Sequence, residues 1–251
     1  MKRWHVNWRR VGVISLIVFA ALWMVAGAVF LVFYQLAPWL TARDFVRDDP
    51  RLNLVPAALP DKSVAALFGV RVEIDGFSFL TPWKDIPLER KERGASAIAF
   101  LKDGVGILVP DPAADLDSAR TIRSIAETNR KLGWETLRPD YVLMAAAMAA
   151  TSDQVKWWRI PSQNARDLAL LEMKRMALHD SGALYTVNSG ELRGFQEGNP
   201  SVAPYRVHLN LFDGADHHYE IVIAAKENHG PVLSQAEVNA MVASLRPIPR
   251  H

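Results

Sequence analysis

The segment "YRVHLNLFDGADHHYEIVIAA", residues 205–225, decides the fold because it predicts two β-strands joined by a turn. Apolar residues alternate on both sides of the turn: Val207, Leu209 and Leu211 before it, and Tyr219, Ile221 and Ile223 after it. Such alternation is typical of an antiparallel pair with one face against a core. A two-residue turn would set Leu209 opposite Glu220 and bury a carboxylate, so the parity favours the five-residue loop "DGADH".

The same kinds of signal recur on either side of this hairpin. Asp-Gly pairs at 75–76 and 103–104 lie between β-rich runs and predict two hairpins. Strands are also predicted at "ALYTV" and "LRGFQ". After the last strand, Ser234 and Glu237 form a capping-box pattern. The apolar residues that follow are spaced as the buried face of a helix: Val238, Met241, Val242 and Leu245.

A helical block separates the two groups of strands, at about 113–181. It contains the runs "DLDSARTIRSIAETN", "DYVLMAAAMAAT" and "SQNARDLALLEMKRMALHD", and Ser162 is placed to cap the last of them. Strands, helices, strands and a final helix predict an α+β domain, a mainly antiparallel sheet packed with helices. Because hairpin connections dominate, a parallel doubly wound sheet is not expected.

Two segments carry a resemblance to a known family. "DGFSFLTPWKDI" at 75–86, together with a strand pair leading into "AEVNAMVASLRP" at 236–247, resembles the two ends of Mog1/PsbP-type domains. The resemblance implies an antiparallel sheet sandwiched by helices, and a role in binding partners rather than in catalysis. Residues 113–181 would be an insertion relative to that pattern. None of the family's functional residues maps onto this chain.

The N-terminal region predicts a membrane anchor. No residue from Val11 to Ala42 is charged, and the 24 residues at 11–34 are almost wholly apolar. As a helix they would measure about 36 Å, enough to cross a hydrocarbon core of ~30 Å. The small residues at 26–28 would suit a signal-peptidase site, but the chain stays apolar beyond them. We therefore expect residues 11–37 to be a retained, single-pass transmembrane helix in the lipid bilayer.

Flanking charge predicts the orientation of this helix. Residues 1–10 contain four Lys or Arg side chains, whereas the sequence after the helix is locally neutral. The positive-inside rule puts residues 1–10 in the cytoplasm, followed by a linker at 38–62 and an extracytoplasmic domain at 63–251. The chain has no usable Asn-x-Ser/Thr acceptor, which favours a bacterial envelope. The expected location is the inner (plasma) membrane, with a periplasmic C-terminal domain.

Composition excludes several classes of function. The chain has no cysteine, which removes disulfides, thiolate nucleophiles and Cys-ligated metal centres. Residues 61–251 hold 22 basic and 24 acidic side chains, so we expect no nucleic-acid partner. The motifs GxSxG, HExxH and the Gly-rich phosphate loop are absent from the sequence, and neither a catalytic residue nor a cofactor is predicted.

One cluster of candidate metal ligands occurs, in the turn of the decisive hairpin. It consists of Asp213, Asp216, His217 and His218. Carboxylate oxygens and imidazole nitrogens suit divalent cations. However, Asp and Gly are also the residues that turns require, and adjacent histidines would point to opposite faces of a strand.

The sequence "KWWRIP" contains the candidate partner-binding residues, Trp157 and Trp158. Either both rings pack in a corner between helices, or at least one is exposed and anchors a protein partner, a ligand or the membrane surface. The leading hypothesis is a non-enzymatic, membrane-anchored domain that binds an envelope protein or ligand. The alternatives are a membrane-tethered hydrolase, which needs a His close to a carboxylate or Ser, and a metal or small-molecule sensor.

Overall fold

A computed structural model describes residues 8–59, 71–74, 77–81, 89–93, 96–100, 105–109, 140–178, 182–189, 191–225 and 233–248. The α-helices are α1 (Trp8–Asp48), α2 (Asp140–Ala149), α3 (Pro161–Ala177) and α4 (Gln235–Ser244). Short 3-10 helices occur at Pro50–Asn53 and Ser152–Gln154. The strands are β1 (Ala57–Ala58), β2 (Arg71–Ile74), β3 (Phe77–Leu80), β4 (Glu89–Arg93), β5 (Ser96–Phe100), β6 (Val105–Val109), β7 (Leu184–Asn188), β8 (Arg193–Glu197), β9 (Arg206–Phe212), β10 (His218–Ala225) and β11 (Arg246–Pro247).

The described strands form two sheets, and the fold is α+β. Eight strands follow the order β1-β7-β8-β9-β10-β6-β5-β4, in which β1 and β7 are parallel and the other neighbours antiparallel. The smaller sheet has the order β11-β3-β2. Leu209 pairs with Ile221 and Phe212 with His218, so the loop between β9 and β10 has the five predicted residues. The predicted hairpins β2–β3 and β5–β6 are also formed.

The large sheet separates two hydrophobic clusters. On one face, the alternate apolar residues of β9 and β10 pack against α4 and against Phe79 of β3. The α4 residues in this cluster are the predicted ones, Val238, Met241, Val242 and the C-terminal Leu245. The predicted capping box is present, since the Ser234 hydroxyl accepts from the Glu237 N–H and the Glu237 carboxylate accepts from the Ser234 N–H.

Helices α2 and α3 and the end of α1 cover the opposite face. Tyr141 of α2 contacts Phe195 and Phe212 of the sheet, with ring centroids 6.0 and 5.7 Å apart. The predicted helical block is therefore helical over most of its described part, while 113–139 lie outside the described residues. The predicted cap at Ser162 is wrong. Pro161 begins α3, because its fixed φ suits the first turn and its missing N–H costs nothing there.

Helix α1 is longer than the sequence predicts. We expected residues 38–62 to form a linker, but α1 continues through Pro38 to Asp48. Beyond Pro38, Ala42 is fully buried, and after the helix Leu52 is buried as well. A proline inside a helix loses one backbone hydrogen bond, and burial of this last part of α1 against α3 offsets that loss. We call the two sheets and the helices α2, α3 and α4 the body of the protein. Residues 38–54 of the predicted linker thus pack against this body.

Candidate functional site

The two candidate tryptophans lie in the turn between the 3-10 helix Ser152–Gln154 and α3. Trp157 is 52% exposed and Trp158 is 64% exposed. Their rings meet edge to face, with centroids 5.8 Å apart. Packing of both rings in a helix corner is therefore wrong, and Val155, which is 1% exposed, fills that corner instead. The turn presents two large aromatic rings outward, and contiguous apolar surface of this kind often marks an interaction site.

Hydrogen bonds hold this turn in one conformation. The Asn164 side chain accepts from the Lys156 N–H at 3.1 Å and donates to the Lys156 carbonyl at 2.5 Å. Arg159 donates to the Gln154 carbonyl and to Asp167 Oδ2, both at 2.6 Å. Burial raises the pKa of Asp167, although the neighbouring Arg159 guanidinium opposes this effect. Side-chain hydrogen bonds therefore hold the backbone of the turn that carries the two tryptophans.

The tryptophan pair forms one wall of a cleft whose other wall is α1. We call it the tryptophan cleft and define it by Leu31, Val32, Gln35, Leu36, Trp39, Trp157 and Trp158. Its volume is about 550 Å³, within the usual range of ligand sites of ~300–1,000 Å³. Six of these seven lining side chains are aliphatic or aromatic, so the cleft suits an apolar ligand.

Gln35 is the polar exception in the lining of the cleft. Its Oε1 atom is buried and has no hydrogen-bond partner among the described residues. A buried amide oxygen without a donor is unfavourable by roughly 1–3 kcal/mol, so native structures usually supply a partner. The accessible lining of the cleft is therefore almost wholly apolar, and this amide oxygen lies beneath it.

Cationic side chains lie over two of the three tryptophans that line the cleft. The Arg43 guanidinium is 4.8 Å from the ring centroid of Trp39. The Lys156 ammonium is 5.8 Å from the ring centroid of Trp158. Each distance is within the range of a cation–π contact. Two positive charges thus lie beside tryptophan rings that line the cleft.

Packing of α1 on α3 determines the geometry of the cleft. Ala42 is fully buried, and its small side chain allows the two helices to approach closely. Arg175 of α3 lies over the ring of Phe45, 5.1 Å from its centroid. The end of α1 and α3 belong to the same hydrophobic cluster, which also contains Val155 at the base of the tryptophan turn. Both walls of the cleft are therefore connected through one cluster.

A buried lysine adds polar contacts to the packing of α1 on α3. Lys174 of α3 has no exposed surface, and its ammonium group donates to three backbone carbonyls. The acceptors are Ala150 at 2.8 Å, Leu52 at 3.0 Å and Leu54. Burial lowers the pKa of Lys174 to about 8, and the three acceptors match the three donors of the charged form. The lysine links α3 to the segment that follows α1 and to the end of α2.

The hairpin turn does not gather its candidate metal ligands. Asp213 accepts from the His217 ring, from the Tyr219 hydroxyl and from two N–H groups of its own loop, all at 2.9 Å. Burial opposes its ionisation, but these donors outweigh that effect and lower the pKa of Asp213 to about 2. Asp216 instead accepts from the first N–H groups of α2, at Asp140 and Tyr141.

The fourth candidate, His218, has different contact partners from the other three. Its ring stacks on Phe212, with centroids 4.7 Å apart, and its Nε2 lies 2.9 Å from Asn210 Oδ1. Within the part of the chain that the structure describes, no group of three or more such ligands could hold a metal ion. Each of the four residues thus has polar contacts within the hairpin or with α2.

The structure does bring together three charged groups that the sequence analysis missed. His208 Nε2 lies 2.6 Å from Glu220 Oε1, and its Nδ1 lies 3.8 Å from Glu197 Oε2. Burial lowers the pKa of His208, but the two carboxylates outweigh it and the net change is upward. Arg51, just beyond α1, lies 4.0 Å from Glu197.

Part of this cluster was within reach of the sequence. Once the loop has five residues, strand alternation places His208 and Glu220 on the same face of the hairpin. The position of Glu197 depends on the pairing of β8 with β9, in which Glu197 lies opposite His208. No local pattern reports that pairing.

Comparisons with known proteins identify no relative. No family model matches the chain, and neither a curated protein nor a solved structure matches it. The resemblance to Mog1/PsbP-type domains therefore stays a prediction.

Proposed function

We propose that this protein is a single-pass, membrane-anchored extracytoplasmic domain that binds an envelope ligand in the tryptophan cleft. Helix α1 would span the inner (plasma) membrane of a bacterium, with residues 1–10 in the cytoplasm. The folded body would lie on the opposite side. Binding rather than catalysis is its proposed activity.

The observation that carries this proposal is the exposure of the apolar part of α1 along its whole length. Among the described residues, one helix is long and apolar enough to cross a membrane. Every residue from 12 to 34 is exposed, and none is charged. In water such a surface would be highly unfavourable, whereas in a bilayer both the side chains and the internally hydrogen-bonded backbone are satisfied.

The flanking sequence supports the orientation. Lys2, Arg3, Arg9 and Arg10 precede the apolar part of α1. On the other side, Arg43 and Arg47 are accompanied by Asp44 and Asp48. An excess of Lys and Arg on one side favours cytoplasmic retention of that side.

The charge cluster at His208 does not favour the hydrolase alternative. A general base needs one ring nitrogen oriented by a carboxylate and the other directed at the nucleophile. Here Glu197 faces Nδ1 and Glu220 faces Nε2. The arrangement instead suits a charged histidine that compensates two acidic groups.

Cysteine accessibility tests the topology directly, because the chain has no native cysteine. Gly214 lies at the exposed tip of the β9–β10 hairpin, and nothing lies within 4 Å of an added Cβ. In intact spheroplasts we expect Gly214→Cys to react with a membrane-impermeant maleimide. The matched control, Lys2→Cys, should react after lysis alone.

The same experiment distinguishes an anchor from a cleaved signal peptide. In the Gly214→Cys variant, an N-terminal epitope and the maleimide label should migrate as one membrane-bound polypeptide. Labelling of the Lys2→Cys variant in intact spheroplasts, or loss of the N-terminal epitope from the mature protein, would contradict the proposal.

A further inference from the structure

We infer that the tryptophan cleft binds an acyl chain of a phospholipid in the leaflet next to the body, with the phosphate of the head group beside Lys156 and Arg43. The inference rests on the proposed function, since it requires α1 to span the membrane. It names the ligand class of that site.

The depth of the cleft supports a lipid. Leu31 and Val32 belong to the exposed apolar part of α1, and Trp39 lies eight residues beyond Leu31. At 1.5 Å per residue, Leu31 and Trp39 are about 12 Å apart along the axis. A cleft that starts at the last apolar turns of a transmembrane helix and extends outward by this distance crosses from the hydrocarbon core into the head-group region.

The walls of the cleft match the two parts of a lipid at those depths. Leu31, Val32 and Leu36 are aliphatic and line the cleft together with the rings of Trp157 and Trp158. Tryptophan rings prefer the membrane–water interface, where one end is apolar and the other hydrated. An acyl chain satisfies the apolar walls, and no water-soluble ligand has the same access from the bilayer.

The polar end of the ligand follows from the nearby cations. Lys156 and Arg43, which lie over Trp158 and Trp39, add positive charge that attracts the phosphate.

The test uses the purified full-length protein in nanodiscs of phosphatidylethanolamine containing a trace of the same lipid with a diazirine in its acyl chain. After photolysis, mass spectrometry locates the adducts. We expect adducts along the apolar part of α1 and also at Trp157 and Trp158. These two positions are the informative ones, because they lie outside α1.

The result separates failure of the inference from failure of the proposed function. Adducts on α1 without adducts at 157–158 would overturn the lipid site and leave the anchor intact. Absence of adducts on α1 would overturn both. Adducts at 157–158 in nanodiscs but not in native membranes would mean that a protein partner fills the cleft in the cell, and would also overturn the inference.

Filling the cleft provides a matched pair of variants. Leu36 lines the cleft and is half-buried, whereas Leu40, one turn further along α1, is exposed and does not line it. Leu36→Trp should lower the adduct yield at 157–158 at least fivefold. Leu40→Trp should leave it within twofold of the wild type, and an equal loss in both variants would contradict the assignment.

Discussion

The two parts of α1 differ in environment although they belong to one continuous helix. From 12 to 34 every residue is exposed, whereas beyond Pro38 the helix buries Ala42 and contributes Trp39, Phe45 and Val46 to a hydrophobic cluster of the body. No described residue buries the first part, and of its residues Leu31 and Val32 face Trp157 and Trp158 across the tryptophan cleft. The second part is a core element. One helix therefore presents a lipid-like surface and also forms part of a protein interior, without a flexible segment between them.

The packed second part of α1 fixes the position of the body relative to the exposed part of the helix. A flexible linker would let a domain drift away from its anchor. Here Lys174 and the α1–α3 packing fix the body to the end of the helix, so the turn that bears Trp157 and Trp158 stays beside Leu31 and Leu36. Substitutions that weaken the α1–α3 packing, or that change each part of α1 separately, test this arrangement.

The largest expected effect comes from Lys174→Met. The change removes the donor to three backbone carbonyls and should lower the free energy of unfolding by about 3–5 kcal/mol, because each unsatisfied buried carbonyl costs about 1–3 kcal/mol. Urea denaturation of the detergent-solubilised chain, followed by near-UV circular dichroism, measures it. Arg166→Met, on the exposed side of the same helix, should change stability by less than about 0.5 kcal/mol.

The pH dependence of the same residue has a defined sign. Burial lowers the pKa of Lys174 from 10.5 to about 8, so the unfolded chain binds more protons between these two values. The stability of the wild type relative to Lys174→Met should therefore rise as the pH increases from about 8 to about 10.5. Denaturation of both proteins across this window checks it, and a falling difference would contradict the burial of a charged amine.

Next in size is a pair of matched substitutions in the two parts of α1. Ala42→Leu should overpack the α1–α3 contact and lower the free energy of unfolding by about 1–3 kcal/mol. Ala28→Leu, at an exposed position of the same helix, should have almost no effect on the folding of the body. Equal effects in a denaturation experiment would mean that the two parts do not differ as described.

A smaller effect is expected from His208→Gln. Two carboxylates raise the pKa of His208 despite its burial, so its stabilising contribution is complete below its unfolded pKa of about 6.5 and is lost as the pH rises through the folded pKa. Near pH 5.5 the substitution should cost about 1.5 kcal/mol, the scale of a hydrogen bond to a charged group.

The Glu220→Gln background provides the control for this histidine. Removing one of the two carboxylates should weaken the pH dependence of the His208→Gln effect, because less negative charge then favours the imidazolium. Denaturation midpoints between pH 5 and 8 compare the four proteins. An unchanged pH profile in the Glu220→Gln background would contradict the coupling of these two side chains.

The smallest effect on stability is expected for the double substitution Trp157→Ala and Trp158→Ala. Because both rings are more than half exposed, the free energy of unfolding in detergent should change by less than about 0.5 kcal/mol. A loss above about 2 kcal/mol, the scale of truncating a buried side chain, would assign the pair to the core of the body rather than to its surface.

Local sequence patterns predicted those elements whose structure depends on residues close together in the chain. The five-residue loop followed from the parity of alternation in β9 and β10, and the α4 cap followed from the spacing of Ser234 and Glu237. The prediction that a linker starts at residue 38 is wrong, because local patterns carry no information about packing with distant parts of the chain. A proline and mixed charges are typical of a linker, and the packing that overrides them comes from α3, more than 100 residues further along the chain.

The α+β class, the strands β2, β3 and β5 to β10, and the long apolar helix could be predicted from the sequence, because hydrophobic periodicity and turn chemistry act between near neighbours. Tertiary structure alone decided that the helix runs into the body, that Lys174 ties them together and that Glu197 faces His208. It also turned Trp157 and Trp158 towards α1. These features join residues distant in the chain, and the free energy that selects them arises only when separate elements pack.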